Sequence, residues 1–344
     1  MFLIIMNINE YLNNRLKTSS KYNLSDEDKK VIQFNGIRQF IYNKLTSKKF
    51  RKTSLDEGSM NWVRSAIDLR VSENKPIRFT YPFGAYKLWR IPSFPNVDFA
   101  EFFTIGYISE YVAPILTAYK PGVEIVFSSD DVCIELIDNY KRSELDSYNK
   151  SFNSLIKLYS SYIPNNLSIE LKQVVPDIYS KDEYDKEINE LYGIRKKEGF
   201  NEDQRSSMLQ KMELHFRNNG STNYGDLTNE EKIKVWEDLT YWSDAYLKLP
   251  KRKAFVRAED NIVLFSNKIS NAIDIGSTKA SKSKFWTGTG VLENINGHYT
   301  EKILSPKQWN EVKNKAKIEK VNIKDNEYLK EVPVFSQRLN FLKN

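Results

Sequence analysis

Apolar residues recur at three- and four-residue spacing early in the chain, in Ile8, Tyr11, Leu12 and Leu16 and again in Phe34, Ile37, Ile41 and Leu45. That period puts them on one helical face and predicts mostly helix from about residue 8 to residue 69. A basic run, Lys48 to Lys52, reads as a surface link after the second of these helices. The pattern then shortens. Ile77-Arg78-Phe79-Thr80-Tyr81 is a β-favouring run that breaks into Pro82-Phe83-Gly84, and Val123 to Phe127 is a second that breaks into Ser128-Ser129-Asp130-Asp131. Leu167 to Val174 is a third, ending at Val175-Pro176-Asp177. Between the first two lies a helix through Phe102, Ile105, Ile108, Val112 and Ile115, with Asp98 as N-cap, Glu101 three residues on and Pro121-Gly122 as the turn that ends it. A further helix is predicted over Ser143 to Tyr162. Strands that alternate with helices predict a parallel sheet, and ligands of such sheets sit beyond the carboxyl ends of the strands.

From Asp182 to Lys248 the chain is charged and helical in pattern, broken at Asn218 to Ser221, with Thr228 and Glu231 as a second capping box. From Ala254 on, short β-like runs take over: Ile262 to Phe265, Ala272 to Ile275, Gly290 to Leu292 and Tyr299 to Leu304, with Asn296-Gly297 as a hairpin turn. The prediction is an α/β fold. It has a Rossmann-like, mainly parallel sheet flanked by helices, a helical insertion, and a C-terminal β-rich part laid beside or onto the first sheet. Four regions follow: a helical region over 1–75, the α/β core over 76–180, a helical segment over 181–250, and a β-rich region over 251–344 that completes the core.

Composition narrows the function classes. At 40% hydrophobic and 28% charged the chain can build a globular core. The net charge of +7 is a mild excess, and its lysine clusters (279 to 284, 251 to 253, 313 to 320) form no nucleic-acid module, so no nucleic-acid partner is expected. One cysteine, Cys133, excludes an intramolecular disulfide and a multi-cysteine metal site, and two histidines, His215 and His298, leave little scope for zinc. Both histidines read as surface residues. The apolar start, Met1 to Met6, is too short for a signal-peptide core, and no run approaches the ~18 apolar residues of a membrane span. A cytoplasmic protein without metal or other cofactor is expected, with small-molecule partners, no membrane partner, and a homodimer left open.

Candidate chemistry gathers at the strand ends. Asp130 and Asp131 read either as a carboxylate pair that holds an amine or a metal, or as the N-terminal cap of the next helix. Lys87 and Arg90 follow the first strand and would reach the same sheet edge, where they can hold phosphate or carboxylate. Tyr81, Phe83, Tyr86 and Trp89 read either as a substrate wall or as core. Phe285 to Gly290 has neither the Walker nor the dinucleotide spacing, and Ser128 and Ser129 lack the glycine elbow of a serine hydrolase.

Four features together resemble the isonitrile synthase family, which includes pyoverdine and dityrosine biosynthesis enzymes. They are Tyr81-Pro82-Phe83, the approach Tyr119-Lys120-Pro121-Gly122 to a strand ending Ser129-Asp130, the helix around Asp146-Ser147-Tyr148, and a late β region with Arg257 and Trp286. The resemblance covers most of the chain from Pro76 on. It implies joining of an amino acid's amine to the ketone carbon of ribulose 5-phosphate, an imine intermediate, and carbon-carbon cleavage that leaves an isonitrile, without metal or redox cofactor. Tyrosine or tryptophan is the amino acid it points to. It further implies roles. Asp130 would orient or deprotonate the amine, Lys87 would act as acid, base or phosphate holder, and Arg257 and Arg90 would grip phosphate or carboxylate. Tyr81, Phe83, Ser129, Asp131, Trp286 and Thr287 would contact substrate. The chain departs from the family pattern at Gly84-Ala85-Tyr86-Lys87, at Asp131 and at Thr287. Two other readings remain: a phosphosugar or nucleotide-sugar transferase with a divalent cation on Asp130 and Asp131, and a non-catalytic binding protein on the same fold.

Overall fold

The structure, a computed structural model, describes residues 7–51, 53–84, 87, 96–138, 140–207, 210, 228–266, 269–275, 285–324 and 326–340. Three helices open the chain: α1 (Ile8–Thr18), α2 (Asp26–Thr46) and α3 (Glu57–Ser72). A five-stranded parallel sheet follows, built from β1 (Ile77–Phe83), β2 (Val123–Ser129), β3 (Leu167–Gln173), β4 (Asn261–Phe265) and β5 (Ile273–Asp274) in the order β3-β2-β1-β4-β5. In β1 and β2 all positions but one are buried, as expected of parallel strands covered on both faces. At the edge, β3 opens in alternation, with Leu167 and Ile169 inward and Ser168 and Glu170 outward.

The crossovers are helical. α4 (Phe99–Ala118) joins β1 to β2, and α5 (Asp131–Asp138) with α6 (Arg142–Ser160) joins β2 to β3. α7 (Lys181–Glu198), α8 (Asn229–Lys248) and α9 (Pro250–Val256) return the chain to β4, beside β1. Both expected capping boxes are present, Asp98 with Glu101 on α4 and Thr228 with Glu231 on α8.

The C-terminal part differs from expectation. Only β4 and β5 join the first sheet. β6 (Thr289–Ile295), β7 (His298–Leu304), β8 (Lys317–Lys320) and β9 (Glu331–Phe335) form a separate sheet in the order β7-β6-β9-β8, with α10 (Pro306–Val312) after β7. The reason lies in α4, which is buried almost all round: β2 packs on it from the first sheet, β6 and β7 from the second. A helix without a polar face needs apolar partners on both sides. Gly290 of β6 makes the approach possible, because a Cβ there would lie 2.2 Å from the Ala100 nitrogen and from the Phe99 carbonyl carbon. The predicted hairpin joins β6 to β7 through Asn296 (φ 53°) and Gly297 (φ 84°), and His298 beside it is exposed.

A second difference is Phe34. The helical period put it on the core face with Ile37, Ile41 and Leu45, yet it is 75% exposed while Ile41 and Leu45 are fully buried. Gly36, at φ 83°, interrupts the helical backbone of α2, so the residues before it are rotated out of phase with those after it. Among the described residues no helix is long and apolar enough to cross a membrane.

Candidate functional site

The carboxyl edge of the sheet gathers the predicted residues unevenly. The β1–β2 ladder runs on to Phe83↔Ser129, and the Asp130 N–H donates to the Phe83 carbonyl at 2.8 Å, so the ends of both strands are held together. The β1–β4 ladder stops earlier, at Thr80↔Val263. β1 leads to β2 on one side and β4 returns on the other, which makes the β1/β4 edge the topological switch point where open α/β sheets place a crevice.

Tyr81 and Phe83 are side by side with Phe127, Phe152, Phe285 and Trp286, with ring centroids 5–6 Å apart. Both are buried, as is Trp286, so of the two readings of these aromatics the packed cluster is the one the structure displays. Thr287 lies in the turn that follows Trp286. The hydroxyls of Ser128 and Ser129, fully buried at the end of β2, have no hydrogen-bond partner.

Asp130 and Asp131 turn apart. The Asp130 carboxylate accepts from Arg252 Nε at 3.0 Å and Nη2 at 2.9 Å, and from the Tyr246 hydroxyl at 2.6 Å. Burial opposes the charge on Arg252, but Asp130 and Tyr246 outweigh it and hold the guanidinium protonated beyond its ordinary range. Burial and the Asp130 charge both push the Tyr246 hydroxyl up. Asp131 is enclosed. It accepts from Arg142 Nη1 at 2.6 Å, Gln173 Nε2 at 2.9 Å and Asn149 Nδ2 at 3.3 Å, and burial raises its pKa against the pull of Arg142. It is the first residue of α5, so the cap-region reading fits it, and it ties α6 and β3 together.

Lys87 has a different task from the one expected. Its Nζ lies 2.6 Å from the Phe285 carbonyl, 2.6 Å from the Gly288 carbonyl and 2.8 Å from Glu101 Oε1, with Asp98 at 3.4 Å. An ammonium has three donors, and three short contacts use them. Glu101 also accepts from Tyr148 and from the Asp98 N–H; burial pushes its carboxyl up to about 7, against the attraction of Lys87. Lys87 thereby seats the Phe285–Gly288 turn, and with it Trp286, on Tyr81 and Phe83.

Arg257 is not brought to these residues. It precedes β4, and its guanidinium donates to the carbonyls of Ser270 and Asn271, which precede β5, on the amino-terminal side of both strands. Arg90, Tyr86, Trp89 and His215 lie outside the described residues.

Sequence reading missed Arg252, Tyr246, Arg142 and Glu101 as site neighbours. Arg252 had one signal: it falls between Leu249 and Val256 at helical spacing, a charge on an apolar face. Arg142 had none, since its partner Asp131 is eleven residues away.

The strand order and its switch-point edge define a Rossmann-like α/β protein carrying a second sheet. Among solved structures it is similar to the crystal structure of the PvcA protein from Pseudomonas aeruginosa, with a TM-score of 0.57 and 13% identity, over 87% of this chain and 99% of that one. That likeness is one of fold. No family model matches the chain, and no curated protein matches it.

Proposed function

We propose that this protein is an isonitrile synthase-like enzyme that joins the amine of an amino acid to ribulose 5-phosphate. The reading rests on the resemblance of its sequence segments to that family, on a fold shared with PvcA. One observation carries the reading: the two segments that resemble the family, Tyr81-Pro82-Phe83 and Ser129-Asp130, end against each other at the carboxyl ends of β1 and β2, joined by the 2.8 Å bond between them.

The geometry gives Asp130 a defined part. A carboxylate offers about four acceptor positions. Arg252 and Tyr246 occupy three and leave one on Oδ2, and the side chain is 20% exposed. That position suits an ammonium or amine N–H of the substrate. Arg90 remains the candidate for the phosphate, and Lys87 positions the aromatic turn.

The test is to incubate the protein with tyrosine or tryptophan and ribulose 5-phosphate and to look for the isonitrile by its infrared stretch or by tetrazine trapping. Both substrates should be consumed, and ribulose 5-phosphate alone should raise the melting temperature. If it neither reacts nor raises the melting temperature, the reading fails and a non-catalytic binder of another ligand takes its place. The transferase reading is disfavoured by the divergence of Asp130 and Asp131, which belong to separate arginine networks. Among the described residues no group of three or more His, Cys, Asp or Glu side chains is placed to hold a metal ion.

A further inference from the structure

A cleft of about 700 Å³ opens on the β3 side of the molecule, away from the switch-point edge, between the first turns of α5 and α6 and the α7–α8 pair. Its volume falls within the range of small-molecule sites. Its chemistry is specific in sign. Glu135, Asp146 and Asp185 line it against two cations, Arg142 and Lys181, and buried Asp131 adds a fourth carboxylate beneath. This is an acidic site on a protein of net charge +7. Both cations are already engaged, Arg142 by Asp131 and Glu135 and Lys181 by Asp185 at 2.5 Å. Asp146 is left over: its nearest cation, Arg142 Nη1, is 3.9 Å away, beyond hydrogen-bond reach, and its side chain is 57% exposed. Facing this charge are apolar and aromatic walls, chiefly Trp242, Tyr184 and Ile188.

We infer that this cleft binds an organic monoammonium ion with an aromatic or apolar body. The body lies along the wall that carries Trp242, which is itself stacked on Tyr192, and the ammonium pairs with Asp146. An anion of the same shape faces the Asp146 carboxylate and finds both cations of the cleft already paired, and is rejected. An amino acid carries its own carboxylate next to the amine and is disfavoured for the same reason. The cleft is therefore a second site, distinct from the one proposed for the substrate at Asp130, and does not depend on that assignment.

The probe is phenethylamine, with phenylacetate and phenylalanine as controls of the same body and different charge. Calorimetric titration of the full chain at low salt should show saturable binding of phenethylamine alone, weakening as salt is raised. Asp146→Asn should reduce the affinity by up to about five-fold, the upper limit open to a largely exposed ion pair, and Asp146→Lys should abolish binding of the amine and admit phenylacetate. Both changes fall on an exposed side chain, so the melting temperature without ligand should stay close to that of the parent. The inference is overturned by absent or unsaturable binding, by equal binding of phenylacetate to the parent, or by an unchanged affinity in Asp146→Asn. The readout is binding of a compound that is not a substrate of the proposed reaction, so failure here leaves the isonitrile assay to be judged by itself.

Discussion

At the residue scale the most consequential group is Lys87, whose side chain is 1% exposed and whose ammonium is enclosed by two carbonyls and Glu101. Replacing one member of a buried pair leaves the other uncompensated, at about 3–5 kcal/mol. Lys87→Met should therefore cost about 3 kcal/mol of stability, the lower end, because the Glu101 carboxyl can relieve its isolation by taking up a proton. Denaturant unfolding at neutral pH measures this, and a variant as stable as the parent would return Lys87 to the list of groups free for chemistry. Glu101 also gives a pH dependence. Its carboxyl titrates near 7 in the folded protein against an ordinary 4.5, so between these values the folded state holds a proton that the unfolded chain has released. Its contribution to stability is then greatest below pH 4.5 and declines as pH rises to about 7. Glu101→Gln should flatten the stability profile within that window. A slope identical to the parent's would show that other groups titrate there.

Two contacts between elements decide whether the site exists. One is the Asp130–Arg252 pair, which fastens α9 to the end of β2. Asp130→Asn should remove activity and also melt lower, since it strands a guanidinium that is 9% exposed, and adding Arg252→Leu should recover part of the lost stability. If Asp130→Asn melts like the parent, the pair does not hold α9 in place. The other contact is Gly290 against the start of α4. An added methyl would press on backbone atoms at 2.2 Å, which have no rotamer to yield, so Gly290→Ala should cost about 1–3 kcal/mol. Because the same helix start carries Asp98 and Glu101, the change should also loosen the Lys87 network. A crystal structure of the variant with α4 and β6 undisplaced would count against this account.

Across the whole molecule, α4 is the shared element, covered by one sheet on each side. The two sheets should accordingly open together. Native-state hydrogen exchange should give the amides of β1 and β6 the same opening free energy, and a lower value in β6 would show that the second sheet unfolds by itself. The parallel sheet and its carboxyl edge were legible from the chain. Buried parallel strands are nearly continuous apolar runs, and turn residues mark where each one ends, as in Ile77 to Phe83 and Val123 to Ser129. Capping boxes and the Asn296-Gly297 turn were equally legible, because they depend on residues three or four apart. The tertiary structure decided the rest. It rotated Phe34 outward through the break at Gly36, split the C-terminal strands between two sheets, and set Asp130 on Arg252, 122 residues away, and Lys87 on the carbonyl of Phe285, 198 residues away. Local chemistry is written in neighbouring residues, whereas the partner of a buried charge is chosen by which distant elements pack together, and no short-range pattern in the sequence records that choice.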